Sequence, residues 1–173
     1  YPSGSSIPVA YLPSYAQDGG PYALLKRLGD ESERKKLVYH LENEHNRPLE
    51  EVVFSYLPRN NHLEGMSLPD IARDTGESLG EALCRLLLEE ELTVGYIWPP
   101  PVSTALWYQV SRDCMELLSR PDYMVCSDIT PAGSMPHPRS YGAFPRFLGR
   151  LRREFGMLTL EQMIQRMTDN PAR

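Results

Sequence analysis

The chain has 173 residues, 41% hydrophobic and 24% charged, with a net charge of −5. That apolar content suffices for one globular domain with a sizeable core and excludes a disordered acidic tail. The acidic balance argues against a nucleic-acid partner, and no apolar run approaches the roughly 18 residues that a membrane span needs.

Sixteen prolines cluster and leave 22–47, 70–98, 102–120 and 146–170 free for long helices. In chain order, Tyr1 reads as the frayed end of a strand. Leu24, Leu25 and Leu28 make an apolar stripe that Gly29 breaks. Asp30 and Glu33 then have capping-box spacing ahead of Leu37, Val38 and Leu41. Residues 13–48, helical with a charged centre, read as an insertion or lid packed on a sheet, between an opening stretch 1–12 and a main body 49–173. Val52-Val53-Phe54-Ser55-Tyr56 is a strand. Ser67 and Asp70 start a short helix that Gly76 ends, and Ser78 and Glu81 cap the next, with Ala82, Leu83, Leu86 and Leu87 on its face. A second strand covers 93–98. A helix with Leu106, Val110, Leu117 and Leu118 follows over 102–120, then a third strand over 123–127. Phe147, Leu148 and Leu151 lead to a stop at Gly156, and Thr159 and Gln162 cap a last helix with Leu160, Met163, Ile164 and Met167.

The three β-rich runs are short, nearly continuous and β-branched or aromatic, as buried parallel strands are. Their alternation with helices predicts an α/β protein in which 93–98 and 123–127 run parallel, with 102–120 as the crossover helix. Cys84, Cys114 and Cys126 are odd in number, without a Cys-x-x-Cys pair. They read as buried small apolar residues in a reduced, cytoplasmic setting. No charged-then-apolar leader opens the chain, so no signal peptide is expected. It begins on Tyr1 and ends on Asn170-Pro171-Ala172-Arg173 directly after a helical pattern, which leads us to expect a piece of a longer protein.

Ligands of parallel α/β folds bind where strands end. Arg59-Asn60-Asn61-His62 and Pro99-Pro100-Pro101-Val102-Ser103 follow the first two strands. The third is followed by Ser127-Asp128-Ile129-Thr130 and a loop, 131–145, that is almost free of apolar residues through His137-Pro138-Arg139-Ser140-Tyr141-Gly142. A carboxylate at a strand end can act as a general base or reach a metal. An arginine fork can fix the plane of a carboxylate substrate. Alone, Asp128 is as readily a cap or a turn, and Arg139 a surface salt bridge; sharing one loop raises their functional weight. His40 and His45 are five apart, off a common helix face, and read as solvated; His62 has no ligand partner nearby. Met157, Met163 and Met167 read as core filler, and Arg146, Arg150, Arg152 and Arg153 as a solvated helix face. Trp98 and Trp107 suit a pocket wall or the core about equally.

The block from Ser127-Asp128 through His137–Arg150, with Leu158-Thr159-Leu160-Glu161 and Met167–Arg173, resembles the C-terminal part of N-acyl-D-amino-acid deacylases of the amidohydrolase superfamily. Tyr1-Pro2-Ser3-Gly4-Ser5-Ser6 and Leu12-Pro13 followed by Gly19-Gly20 resemble that family's stretch after its last metal histidine. The resemblance covers nearly the whole chain, with 30–120 only supportive. It implies the C-terminal part of a (β/α)₈ barrel with a helical insertion, in which 123–127 is the last strand. It also implies a zinc-activated hydroxide that attacks the amide of an N-acyl-D-amino acid. Asp128 matches the general base and acid, with a weak metal contact possible in principle, and Arg139 the holder of the substrate carboxylate. Ser127, His137 and Tyr141 lie beside them as substrate-binding residues. The family's other metal ligands are not in this chain, and Ile129-Thr130 departs from the usual Ser-Asp-Gly. Two rivals stand beside this reading: an amidohydrolase of cyclic amides, of hydantoinase or dihydroorotase type, and a catalytically silent fragment that self-associates through an open sheet edge.

Overall fold

Each packed element reverses the direction of the chain, and that rule shapes the small sheet here. The structure, a computed structural model, describes residues 5–6, 8–44, 48–98, 103–128 and 133–172. The chain divides into two compact units. The first is built from Ser5–Pro99 with Ala132–Pro136, and the second includes Pro100–Pro131 and His137–Arg173. The first unit holds β1 (Ser5–Ser6), α1 (Ser14–Gln17), α2 (Gly20–Gly29), α3 (Glu31–Asn43), β2 (Val53–Tyr56), α4 (Leu68–Thr75), α5 (Leu79–Glu89) and β3 (Gly95–Ile97). The second holds α6 (Thr104–Ser119), α7 (Arg139–Pro145), a π-helical segment (Arg146–Leu151), α8 (Arg152–Phe155) and α9 (Leu160–Met167).

The capping pairs mark the helix starts correctly. Asp30 accepts from the Glu33 amide, Ser67 from the Asp70 amide, and reciprocal capping boxes open α5 (Ser78, Glu81) and α9 (Thr159, Gln162). Gly76 and Gly156 end their helices in the left-handed conformation, as C-terminal glycines do. The core of the first unit is organised on α5, which buries Ala82, Leu83, Cys84, Leu86 and Leu87. Helices α2, α3 and α4 pack against it, bringing Leu24, Leu28, Leu37, Leu41, Ile71 and Ala72 into one cluster with Phe54 and Tyr96 of the sheet. Gly80 permits the α3 approach. A Cβ there would lie 2.9 Å from Glu42 Oε1 and 3.1 Å from Val38 Cγ1, and the Gly80 amide donates to that same Oε1.

The sheet corrects the expected topology. Its order is β1-β3-β2, and both pairings are antiparallel, with Phe54 opposite Tyr96 and Ser6 opposite Tyr96 on the other side. One helix between neighbouring strands returns the chain to its starting end and makes them parallel. Two helices return it to the far end. Residues 56–95 contain both α4 and α5, so β3 comes back antiparallel to β2. The number of reversals sets strand direction, not the presence of a crossover. The fourth-strand reading of Tyr1 lies outside the described residues.

Residues 123–127 also differ from expectation: they form no strand. The helix before them, α6, is present as anticipated, but the following segment lays its backbone against α9. The Val125 amide donates to the Arg166 carbonyl, the Arg166 guanidinium donates to the Leu118 carbonyl, and the Asn170 amide group donates to the Pro121 carbonyl. The second unit has no described strand to offer a ladder, so the backbone is satisfied by a helix end instead. Its core gathers Met115, Leu118, Val125, Phe147, Leu151, Leu158 and Met163, with Met157 and Met167 packed on it, as the core reading of the methionines expects. Pro145 interrupts the α7 ladder, and the π-helical turn follows it directly.

Only Cys84 follows the buried reading; Cys114 is half-buried and Cys126 exposed. Burial pushes the Cys84 thiol up to about 12. Among the described residues no helix is long and apolar enough to cross a membrane.

Leu83 lies at the centre of the first core, so Leu83→Ala is expected to cost about 2–5 kcal/mol in urea unfolding. Ser78→Ala, which removes only the α5 cap, is expected to cost about 1 kcal/mol. A Leu83→Ala loss no larger than the Ser78→Ala loss would contradict a core organised on α5.

Candidate functional site

The richest cluster of polar groups forms around the start of α7. His137 is 3% exposed, and its Nδ1 accepts the Arg139 amide at 3.1 Å. An accepting Nδ1 carries no proton, so the imidazole is the neutral Nε2–H tautomer. Burial first, and the Arg139 cation second, lower its pKa below the usual 6.5. The Ser140 amide donates to the His137 carbonyl and the Gly142 amide to the Pro138 carbonyl, which starts the helix.

The Arg139 side chain is only 13% exposed, and its Nη2 lies 3.4 Å from Asp128 Oδ2, whose side chain is 85% exposed. A guanidinium cannot neutralise itself by losing a proton, so burying it requires an anion nearby. Asp128 has φ +45°, the left-handed region that non-glycine residues enter rarely and at some energetic cost. The structure thus brings together Asp128, His137 and Arg139 of the expected residues. Ser127 is half-buried next to Asp128 in the chain. Tyr141 is 78% exposed and has not joined the cluster. Ile129 and Thr130 lie outside the described residues.

The turn after β2 proves to be structural. Glu90 is buried, and its carboxylate accepts the Arg59 and Asn60 amides and the Asn60 side chain, each at 2.8 Å. His62 is exposed on the short turn beyond it. His40, expected to be solvated, is half-buried and pairs with Glu44 at 2.8 Å; His45 lies outside the described residues. Among the described residues no three His, Cys, Asp or Glu side chains converge as a metal ion would require, so the donor set present does not fit a zinc site.

Two features escaped the sequence reading. Glu64 accepts the Leu57 amide on Oε1 (2.9 Å) and both the amide and the hydroxyl of Ser134 on Oε2. Burial raises its pKa, and these hydrogen bonds outweigh that, so the net direction is down. Gly133, at φ +80°, lies so close to the Ser55 carbonyl that a Cβ would collide with it. A glycine in a proline- and serine-rich loop was the available signal for the second; nothing in the sequence pairs Glu64 with residue 134. Arg146 departs from the solvated-face reading, since its guanidinium stacks 4.1 Å over the Trp107 ring. Both line a cleft of about 420 Å³ with Tyr108, Ser111 and Glu154. Trp98 instead tilts against Tyr96, with ring centroids 6.1 Å apart.

The lowered His137 pKa carries a pH signature. The unfolded chain takes up the proton near 6.5 and the folded chain only below that value. The contribution of His137 to stability is therefore complete above about pH 6.5 and is lost as pH falls toward the folded pKa. Imidazole ¹⁵N spectra are expected to show a neutral Nε2–H ring persisting below pH 6.5. His137→Gln is expected to flatten stability over the same window; an imidazole that titrates at its ordinary value would refute the burial argument.

No protein-family model matches the chain. Among curated proteins it is 52% identical over 50 residues to N-acyl-D-glutamate deacylase of Alcaligenes xylosoxydans xylosoxydans, a stretch that is 29% of this chain and 10% of that protein. Two further proteins of the same organism match: D-aminoacylase, 28% identical over 61% of this chain and 19% of its own length, and N-acyl-D-aspartate deacylase, 32% identical over 54% and 18%. The crystal structure of N-acyl-D-glutamate deacylase from Bordetella bronchiseptica, complexed with zinc and a phosphonate mimic of the tetrahedral intermediate, superposes with a TM-score of 0.60 at 27% identity. That match covers all of this chain and 27% of that one. The fold of D-aminoacylase, described as defining a subset of amidohydrolases, matches with a TM-score of 0.55 over 99% of this chain and 27% of its own. The chain therefore spans about a quarter of its solved neighbours. In sequence and in structure its relatives are deacylases of N-acyl-D-amino acids, amidohydrolase in type, and it covers only part of each.

Proposed function

We propose that this chain is the C-terminal part of a (β/α)₈-barrel hydrolase that removes the acyl group from N-acyl-D-amino acids. In this reading Asp128 is the proton-moving carboxylate and Arg139 holds the substrate's α-carboxylate. The observation that carries it is the meeting of an exposed, backbone-strained carboxylate with a nearly buried guanidinium 3.4 Å away. The relatives' names, which specify N-acyl-D-glutamate and N-acyl-D-aspartate, support the substrate class.

The chemistry follows from the groups. An N-acyl-D-amino acid carries one free carboxylate, and a guanidinium presents two parallel N–H donors to it. The substrate carboxylate takes the place of Asp128 against Arg139, which leaves Asp128 free. Asp128 then accepts a proton from the water whose oxygen attacks the acyl carbon. It returns that proton to the amide nitrogen as the C–N bond breaks, so one group serves both steps. His137 holds the Arg139 backbone through Nδ1, and Ser127 and Tyr141 complete the substrate-binding edge. Zinc accompanies the solved relative. The described residues offer no fitting donor set, so in this reading the metal ligands lie outside this chain and no step above depends on them.

The test uses the full-length enzyme that contains this chain, with N-acyl-D-glutamate and N-acyl-D-aspartate as substrates. Asp128→Asn is expected to lower kcat by about 10⁴-fold or more with little change in KM, the upper end of what a general acid–base group contributes. Arg139→Ala is expected to raise KM first, because it binds ground and transition states alike. Arg139→Lys should recover only part of that loss. Near-normal turnover by Asp128→Asn would remove it from the chemistry. An Arg139→Ala enzyme with unchanged KM, or a preference for cyclic amides that lack a free carboxylate, would favour the hydantoinase type. The 173-residue chain alone is expected to be silent.

A further inference from the structure

One face of α6 changes character along its length. In the C-terminal half, Met115 and Leu118 are buried in the core of the second unit with Phe147 and Leu151. In the N-terminal half, Thr104, Trp107, Tyr108 and Ser111 precede them at spacings of three and four, which places them on that same face. There they line a cleft instead of a core. The other wall is made by Arg146, Arg150 and Glu154, each four residues after the last along the π-helical segment and α8, with Leu151 beside them. The space between is about 420 Å³, within the range of about 300–1,000 Å³ that small-molecule sites occupy. All of these residues belong to the second compact unit, and Asp128, His137 and Arg139 are not among them.

We propose that this cleft is a second binding site, for a small organic anion with a flat apolar body, an aromatic carboxylate in class. The charge of the walls selects the sign, since two arginines stand against one glutamate. The two arginines have different tasks. Arg146 is engaged within the wall: its guanidinium stacks 4.1 Å over the Trp107 ring and donates to the Ser111 hydroxyl at 3.4 Å. That holds the indole in place as a surface. Arg150 has a side chain 69% exposed, and its Nε donates to Glu154 Oε2 at 3.3 Å. An exposed ion pair of this kind is weak. An incoming carboxylate can replace Glu154 there and take two parallel N–H donors from the guanidinium fork. The flat body is then received by the aromatic wall. Tyr108 is half exposed and tilted against Phe155, with ring centroids 5.0 Å apart, and beside Trp107 it offers a second ring for stacking or edge contact. The backbone adds an independent sign: π-helical turns are rare and recur at functional sites, and here the π-helical segment carries both arginines. The site stands whether or not the enzyme is a deacylase.

The experiment is a calorimetric titration of the full-length enzyme containing this chain with 2-naphthoate. Saturable binding is expected with a Kd on the order of 0.1 mM, in keeping with a ligand of that size. 2-Naphthalenemethanol keeps the rings without the charge, and acetate keeps the charge without the rings; each should bind at least about 10-fold more weakly than 2-naphthoate. Arg150→Gln should weaken 2-naphthoate about 10- to 100-fold, the range for losing hydrogen bonds to a charged group, and leave the thermal midpoint unchanged because Arg150 is exposed. Glu154→Gln should tighten it by up to about fivefold, because the competing anion is gone from Arg150. Arg139→Ala should leave this affinity unchanged, since Arg139 is not in the cleft wall. Should the probe also occupy the Asp128–Arg139 pair, Arg139→Ala removes that equivalent and leaves the other. No saturable binding by the wild-type enzyme would overturn the proposal. So would an Arg150→Gln affinity within twofold of wild type, a Glu154→Gln enzyme that binds more weakly, or an Arg139→Ala enzyme that binds no 2-naphthoate at all.

Discussion

A guanidinium that is mostly removed from water keeps its charge and must be answered by an anion. Arg139 is in that position, and the organisation of the start of α7 follows from it. Asp128 supplies the negative charge from the other end of the loop. His137, buried next to the same cation, stays neutral because a second positive charge there would be costly. Its unprotonated Nδ1 is then available to take the Arg139 amide. One charge in a half-dry setting thus dictates the state of three residues.

Elsewhere the molecule uses carboxylates for a different purpose. Glu42, Glu64 and Glu90 each accept hydrogen bonds from backbone amides distant in sequence: Gly80, Leu57 with Ser134, and Arg59 with Asn60. Short strands and short helices leave many amides outside regular ladders, and a buried or half-buried amide needs an acceptor. An ionised carboxylate supplies two strong ones. These glutamates hold the turns of the first unit around α5, whose broad buried face, opposite the polar stripe of Glu81, Arg85 and Glu89, gives α2, α3 and α4 a common packing surface. In the second unit Arg166 has the complementary role, donating to the Leu118 carbonyl while its own carbonyl takes the Val125 amide.

Local signals were the legible part. Asp30, Ser67, Ser78 and Thr159 announce helices because a cap is a contact between residues three apart, written in adjacent letters. Gly76 and Gly156 announce stops for the same reason. The core face of α5 follows from helical periodicity, whereas on α9 Met163 is buried and Leu160 and Ile164 of the expected stripe are exposed. The Asp128–Arg139 loop stood out through its polarity and through the family resemblance, which the relatives in sequence and structure uphold. Cys126, by contrast, reads like Cys84 in sequence, yet one is exposed and the other buried.

What the sequence determined by itself was therefore local: where helices start and stop, which face of α5 is apolar, and which polar loop is the candidate for the chemistry. Tertiary structure decided the rest, because it depends on residues far apart in the chain. The antiparallel sheet came from counting chain reversals between β2 and β3. The missing strand at 123–127 came from the partner its backbone found in α9. The hold of Glu64 on Ser134, across seventy positions, and the seat of Gly133 on Ser55 exist only once the chain is folded. No periodicity or spacing encodes them, since a hydrogen bond depends on distance in space and is indifferent to distance along the chain.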